Sequence, residues 1–162
     1  LHPVLDEQAR GVFFGLRLSH AREHMARAVM EGAAHAVRHN LHYAAMAAGD
    51  VRQLRAVGGP TRSPLWCQTI ADVAGCEVQV VGIGDGQGGA PFGDALLAMA
   101  AVTGRDLREL AAQCVTVRRR YETRDAYRDM YDRHHRIYSE LYPRLKDLFP
   151  AIGTGSAAGG TP

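Results

Sequence analysis

Residues 54–81 constrain the fold most. A short apolar run, Leu54-Arg55-Ala56-Val57, breaks at Gly58-Gly59-Pro60, and a helical pattern and a second apolar run follow. Ser63 stands where a helix N-cap accepts a backbone N–H, Pro64 takes the first turn, where its missing N–H costs nothing, and Gly75 closes the pattern. Between them Leu65, Trp66, Thr69, Ile70 and Val73 recur at helical spacing. The second run, residues 77–81, carries Val78, Val80 and Val81, the apolar content of a strand covered on both faces. Strand, helix and strand in such short succession predict a layered α/β arrangement with neighbouring parallel strands.

Long helices flank this unit. Residues 9–16, with Gly11 and Gly15 bracketing Val12, Phe13 and Phe14, read as a strand or an extended lead-in. Residues 19–48 then place Ala21, Met25, Val29, Ala33, Ala36 and Val37 on one face of a helix roughly 45 Å long, at about 1.5 Å per residue. Ser19 is its expected cap, Gly49 its stop and Gly32 a point of close packing. Glycines at 82, 84, 86, 88 and 89 predict a flexible turn. A helix over residues 91–102 follows, with Phe92, Ala95, Leu96 and Met99 inward. A short helix over 106–113, an extended basic segment over 115–121 and a long helix over 124–148 complete the pattern. That helix carries Tyr127, Met130, Tyr131, Ile137, Tyr138, Leu141, Leu145 and Leu148 on one face, with a kink at Pro143. Residues 151–162, mostly Gly, Ala, Ser and Thr, have little to bury and are expected to be a disordered tail.

Charge narrows the function classes. The 19 Lys and Arg are interspersed with 17 Asp and Glu for a net charge of +2, so no nucleic-acid partner is expected. No apolar run approaches the roughly 20 residues of a membrane helix, and no basic-then-apolar leader opens the chain, so a cytoplasmic protein without a membrane partner is expected. Leu1-His2-Pro3, in place of an initiator Met, reads as the interior of a longer sequence. Cys67, Cys76 and Cys114 are odd in number and form no Cys-x-x-Cys pair, which suits small reduced core residues.

Among candidate sites, the turn Gly58-Gly59-Pro60-Thr61-Arg62-Ser63 stands out. Glycines after a strand and before a helix let a ligand approach the backbone, and the first N–H groups of the helix favour anions. The second glycine-rich turn also precedes a helix and would face the same crevice, but no Gly-Lys-Ser/Thr follows it. His20 and His24 have the spacing of a zinc helix. The intervening Ala21-Arg22-Glu23 lacks the His-Glu-x-x-His order, so both are read as hydrogen-bonding residues and no metal site is assigned. Adjacent His134 and His135 point in different directions on a helix. Arg118, Arg119 and Arg120 read as a solvated strand edge. No nucleophile-and-base set is legible, so catalytic residues are not assigned.

A family resemblance carries the reading further. Gly11-Val12-Phe13-Phe14-Gly15-Leu16, followed after seven residues by His24-Met25-Ala26-Arg27-Ala28-Val29-Met30-Glu31, resembles the second signature of the FGGY carbohydrate kinases, and is most similar to the xylulokinases among them. LRAVGGPTRSPLWCQTIADVAG resembles the family's adenosine turn, GGAPFGDALLAMAAVTG its glycine- and alanine-rich helix start, and RRYETRDAYRDMYDRHHRIYSELYPRLKDLF its carboxyl-terminal helix.

The resemblance implies an α/β fold: part of an actin-like, ribonuclease-H-like ATPase lobe with long flanking helices. Residues 1–150 are then an N-terminally truncated nucleotide-side domain. It implies ATP as cofactor, a sugar as partner in the intact protein, and transfer of the γ-phosphoryl to a ketose or related polyol hydroxyl. Gly58, Gly59 and Pro60 would floor the adenosine and inner phosphates, Ser63 would lie near the adenine, and Gly89 would line the same side. Pro60 stands where a small Gly or Ala is usual and removes one backbone donor.

By the same resemblance the catalytic Asp, the sugar-binding residues and the Mg²⁺ ligands belong to a preceding portion, and the 162 residues alone are expected to be inactive. Asp6, Asp85 and Asp94 are read as loop or cap residues. A homodimer is left open. The alternative is a non-catalytic helical interaction module derived from a kinase lobe.

Overall fold

A computed structural model describes residues 5–83, 86–87 and 90–152. After an irregular lead-in, helix α1 (Arg22–Ala48) is followed by strand β1 (Gln53–Ala56), a 3-10 turn (Gly59–Arg62), helix α2 (Pro64–Ala74) and strand β2 (Glu77–Ile83). Then come β3 (Gly86–Gln87), α3 (Ala90–Thr103), α4 (Leu107–Cys114), β4 (Val115–Tyr121), α5 (Arg128–Leu145) and α6 (Phe149–Ile152). β1 and β2 are parallel, with Leu54 opposite Val78 and Ala56 opposite Val80. β3 continues along the β1 edge of β2 as a short antiparallel partner, and β4 runs antiparallel on the other edge. Two helices, α3 and α4, connect β2 to β4, so the chain returns in the opposite direction.

The glycine-to-helix segment forms as its residues dictate. Ser63 Oγ accepts the Trp66 N–H at 3.2 Å, Pro64 opens α2, and Gly75 closes it in the left-handed conformation. α2 then lies on the sheet. Its Cys67 and Ala71 pack with Val78 and Val80, flanked by Leu54, Ala56, Ile70 and Tyr121. Ile70 also reaches a second cluster, where Ala34 of α1, Val73 of α2 and Tyr131 of α5 meet. α1, α2 and α5 thus form one helical layer over the sheet.

Asp72 ties that layer to the end of β4. Its side chain is fully buried, and it accepts hydrogen bonds from Gln68 Nε2 at 3.0 Å, from the Arg124 backbone N–H at 3.0 Å, and from Arg124 Nε and Nη2 at 3.0 and 2.6 Å.

Several expectations are corrected. Of the two readings of residues 9–16, the strand is not formed and the segment leads into α1 without regular structure, with Val12, Phe13, Phe14 and Leu16 exposed. α1 starts at Arg22 with Ala21 as its cap rather than Ser19, because His24 Nδ1 accepts the Ala21 N–H at 3.1 Å and does the capping itself. The face α1 buries is polar in its middle, where Arg27, Glu31, His35 and Arg38 meet α2 and α5, while Met25 and Val29 are exposed. In α3 Leu96 is buried, but Met99 and Leu97 are exposed.

The expected helix over 124–148 is divided into a 3-10 turn (Asp125–Tyr127), α5 with Pro143 inside it, and a second 3-10 turn (Lys146–Leu148). Of its apolar face, Tyr131 is buried whereas Ile137 and Leu148 are exposed. Asp94 lies within α3 rather than in a loop, and Asp85 is outside the described residues. Ala151 and Ile152 belong to α6, and the rest of the expected tail lies outside the described residues. No helix of the described residues is long and apolar enough to cross a membrane.

Gly32 is not a close-packing point, since a Cβ built there meets no atom within 4 Å. Its backbone is ordinary helix, so Gly32→Ala is expected to stabilise the chain by about 0.5–1 kcal/mol through the unfolded state, read as a higher midpoint in urea.

Candidate functional site

The parallel pair β1 and β2 ends on one edge of the sheet, where crevices of open α/β folds form. At that edge β1 gives way to Gly58, whose φ of +90° is accessible to glycine at little cost. Thr61 folds the turn shut: its N–H and its hydroxyl both donate to the Gly58 carbonyl, at 3.1 and 2.6 Å. The Ser63 N–H bonds the Pro60 carbonyl at 3.1 Å, and Cys67 N–H bonds the Ser63 carbonyl at 3.1 Å, so the turn runs directly into α2.

A Cβ built on Gly58 or Gly59 meets nothing within 4 Å. The backbone of both is open to an approaching ligand, and the first N–H groups of α2 lie next to it. The structure therefore brings together Gly58, Gly59, Pro60 and Ser63 in one turn. Gly89 lies outside the described residues. Of the second glycine-rich turn, Gly82 is a buried part of β2 and pairs with Gln87.

A feature not legible in the sequence adjoins this turn. The pairing of β2 with β4 steps from Val80–Arg119 to Val81–Val117, so Arg118 is an extra residue in a bulge. Arg118 and Arg119 then line a cavity of about 270 Å³ together with Thr61, Arg62, Val80 and Val81. Cys67 sits beneath: burial pushes its thiol up, against the opposing pull of the Arg119 guanidinium.

The histidines sort differently from their sequence spacing. His20 Nδ1 accepts the Arg17 N–H and His24 Nδ1 the Ala21 N–H, both at 3.1 Å, and the two rings stack at 5.4 Å. Their Nδ1 atoms are thus taken up by local capping. His135 joins His35 across the α1–α5 contact, Nδ1 to Nδ1 at 3.3 Å, with Tyr138 stacked on both rings. Burial holds both imidazoles down at about 4, helped at His35 by the neighbouring His135 and Arg38 and at His135 by Arg38, His39 and His42. The signal for this contact was His35, His39 and His42 recurring on one side of α1, a polar stripe that an apolar-face search passes over.

A family model described as "FGGY family of carbohydrate kinases, C-terminal domain" matches residues 1–102. The chain belongs to this family. Gluconokinase of Bacillus subtilis (strain 168) is 40% identical over 83 residues, which cover 48% of this chain and 15% of the relative. Xylulose kinase of Escherichia coli (strain K12) is 32% identical over 150 residues, 88% of this chain and 30% of the relative. The crystal structure of xylulose kinase from Rhodospirillum rubrum superposes with a TM-score of 0.72 at 32% identity, over 87% of this chain and 28% of that one. This FGGY chain therefore spans less than a third of the length of these relatives. Its mixed α/β fold is that of part of the actin-like ATPase lobe of the FGGY sugar kinases.

Proposed function

We propose that this chain is the nucleotide-side part of an ATP-dependent sugar kinase, similar to xylulose kinase, whose intact parent moves the γ-phosphoryl of ATP to a ketose or related polyol hydroxyl. Membership of the FGGY carbohydrate kinases and likeness to proteins named xylulose kinase and gluconokinase support the reaction class. One observation carries the placement of the nucleotide: the open Gly58–Gly59 backbone at the carboxyl end of a parallel strand, running into the N-terminus of α2.

In this reading Gly58, Gly59 and Pro60 floor the adenosine and inner phosphates, Ser63 lies near the adenine, and Gly89 lines the same side; the lobe extends to about residue 150. ATP, when bound, supplies the transferable phosphoryl group. This chain's residues hold the nucleotide by close backbone approach, and no carboxylate among them is assigned as the base. In this reading the Mg²⁺ ligands belong to the remainder of the intact parent, outside these 162 residues.

Gly59 offers a clean test, because a side chain there has room within the protein and would occupy the ligand's space. Gly59→Leu is expected to leave the unfolding midpoint nearly unchanged and to weaken ATP binding at least about tenfold in calorimetric titration, a loss of roughly 1.4 kcal/mol. Equal ATP affinity of variant and parent would remove the turn from the site.

A second reading, a non-catalytic interaction module, draws on the exposed apolar lead-in of Val12, Phe13, Phe14 and Leu16. It predicts stable self-association with no response of the unfolding midpoint to ATP.

A further inference from the structure

The peptide that joins Gly58 to Gly59 is the least restrained in the turn before α2. Neither flanking residue has a Cβ, so rotation of ψ at 58 together with φ at 59 turns that peptide over at little steric cost. Its two edges differ for a ligand. In a trans peptide the carbonyl and the N–H point in opposite directions, so either the Gly59 N–H or the Gly58 carbonyl is presented outward. A donor there holds a ligand oxygen, whereas a carbonyl there repels one.

One of these two arrangements is built. The Gly58 carbonyl is turned into the protein, where it accepts the Thr61 N–H at 3.1 Å and the Thr61 hydroxyl at 2.6 Å. The Gly59 N–H therefore points the other way. It has no acceptor among the described residues, and Gly59 is exposed with room beside it for another molecule. Pro60 has no N–H and the Thr61 N–H is spent on Gly58, so of residues 59–61 only Gly59 offers a ligand its backbone donor.

A threonine hydroxyl bonded to a carbonyl three residues back is a local bond found in many turns. Two features set Thr61 apart. Its partner belongs to the glycine–glycine peptide, whose reversal costs least, and Thr61 is itself buried, which keeps water from competing for the hydroxyl. Cys67 Sγ, 4.0 Å from the Thr61 carbonyl, ties this residue to α2.

We propose that Thr61 is a positioning residue for the nucleotide: its hydroxyl holds the Gly58–Gly59 peptide with the N–H of Gly59 toward the ligand. The proposal rests on the reading of Gly58 and Gly59 as the nucleotide's floor.

Calorimetric titration of the 162-residue chain with ATP, with the Gly59 amide resonance followed in parallel, tests it. Thr61→Val keeps the shape and removes the hydroxyl; it is expected to weaken ATP binding at least about fivefold, the weight of one hydrogen bond, and to diminish the ATP-induced shift of Gly59. Thr61→Ser restores the donor and is expected to bind within about twofold of the parent. Thr69→Val is the control, since the buried Thr69 hydroxyl donates to the Leu65 carbonyl at 2.7 Å inside α2. Its loss is expected to lower the unfolding midpoint and leave ATP affinity unchanged. Circular dichroism checks that each variant is folded; should Thr61→Val not fold, Thr61→Ala decides.

ATP affinity of Thr61→Val equal to the parent's, a loss in Thr61→Ser as large as in Thr61→Val, or equal weakening by Thr69→Val would overturn the role of Thr61 and leave the nucleotide reading in place. Absence of an ATP response at Gly58 and Gly59 in the parent chain would overturn both.

Discussion

Asp72→Ala is expected to lower the unfolding midpoint by about 10 °C, a cost of about 3 kcal/mol at 2–4 °C per kcal/mol for a domain of this size. The Asp72 carboxylate is fully buried and is the acceptor for four hydrogen bonds joining α2 to the chain just after β4. Removing one partner of a buried pair costs about 3–5 kcal/mol, and the lower end applies here because Arg124, at 48% exposure, can return to water. The converse variant is asymmetric. Arg124→Ala leaves the carboxylate buried with only Gln68 and one backbone N–H, so it is expected to cost at least as much. The double variant should cost less than the sum of the two. Midpoints within about 2 °C of the parent for both single variants would show that this buried pair is not what holds the helical layer to the strand.

The second large effect is a loss of stability in mild acid. His35 and His135 are held down at about 4 in the folded chain, against an ordinary value near 6.5. Above pH 6.5 both are neutral folded or unfolded, and they add no pH dependence. Between pH 6.5 and 4 the unfolded chain takes up protons that the folded chain refuses, so stability falls as pH falls, and below about 4 these groups add nothing further.

One such histidine contributes on the order of 3 kcal/mol over that window, at 1.36 kcal/mol per unit. The surroundings are mixed. Burial is the main cause for both rings. His135, Arg38 and His134 add to it for His35, and Arg38, His39 and His42 for His135, while Glu31 and Asp132 oppose it. His35→Asn with His135→Asn places neutral amides near the Nδ1 positions, and its midpoint is expected to fall distinctly less than the parent's between pH 6.5 and 4. An identical fall in both proteins would place the acid sensitivity elsewhere.

The Gly58–Ser63 turn and α2 were legible because each residue has a local duty: glycine for the φ of +90° at 58, Ser63 as cap, Pro64 at the first turn, Gly75 at the left-handed stop. Such duties depend on a few neighbours in sequence. The contact of α1 with α5 was not legible, because it is made by Arg27, Glu31, His35 and Arg38 with Tyr131, Asp132 and His135. A search for apolar periodicity puts such a polar seam on the solvent side, and ion pairs about a hundred residues apart leave no local trace.

The bulge in β4 was hidden for a related reason. Arg118, Arg119 and Arg120 are all exposed on the edge strand β4, as read, and Arg120 pairs with Glu77 at 2.9 Å; the bulge at Arg118 appears only in the register of β4 against β2, and register is a property of two strands.

The central claim, that ATP lies on the Gly58–Gly59 turn, is tested most directly by following the backbone amide resonances of the isotopically labelled chain during titration with ATP and, separately, with adenosine. The account predicts saturable shifts at Gly58, Gly59 and Ser63 with both ligands. Shifts confined to Arg118 and Arg119, or none at the turn, would contradict it.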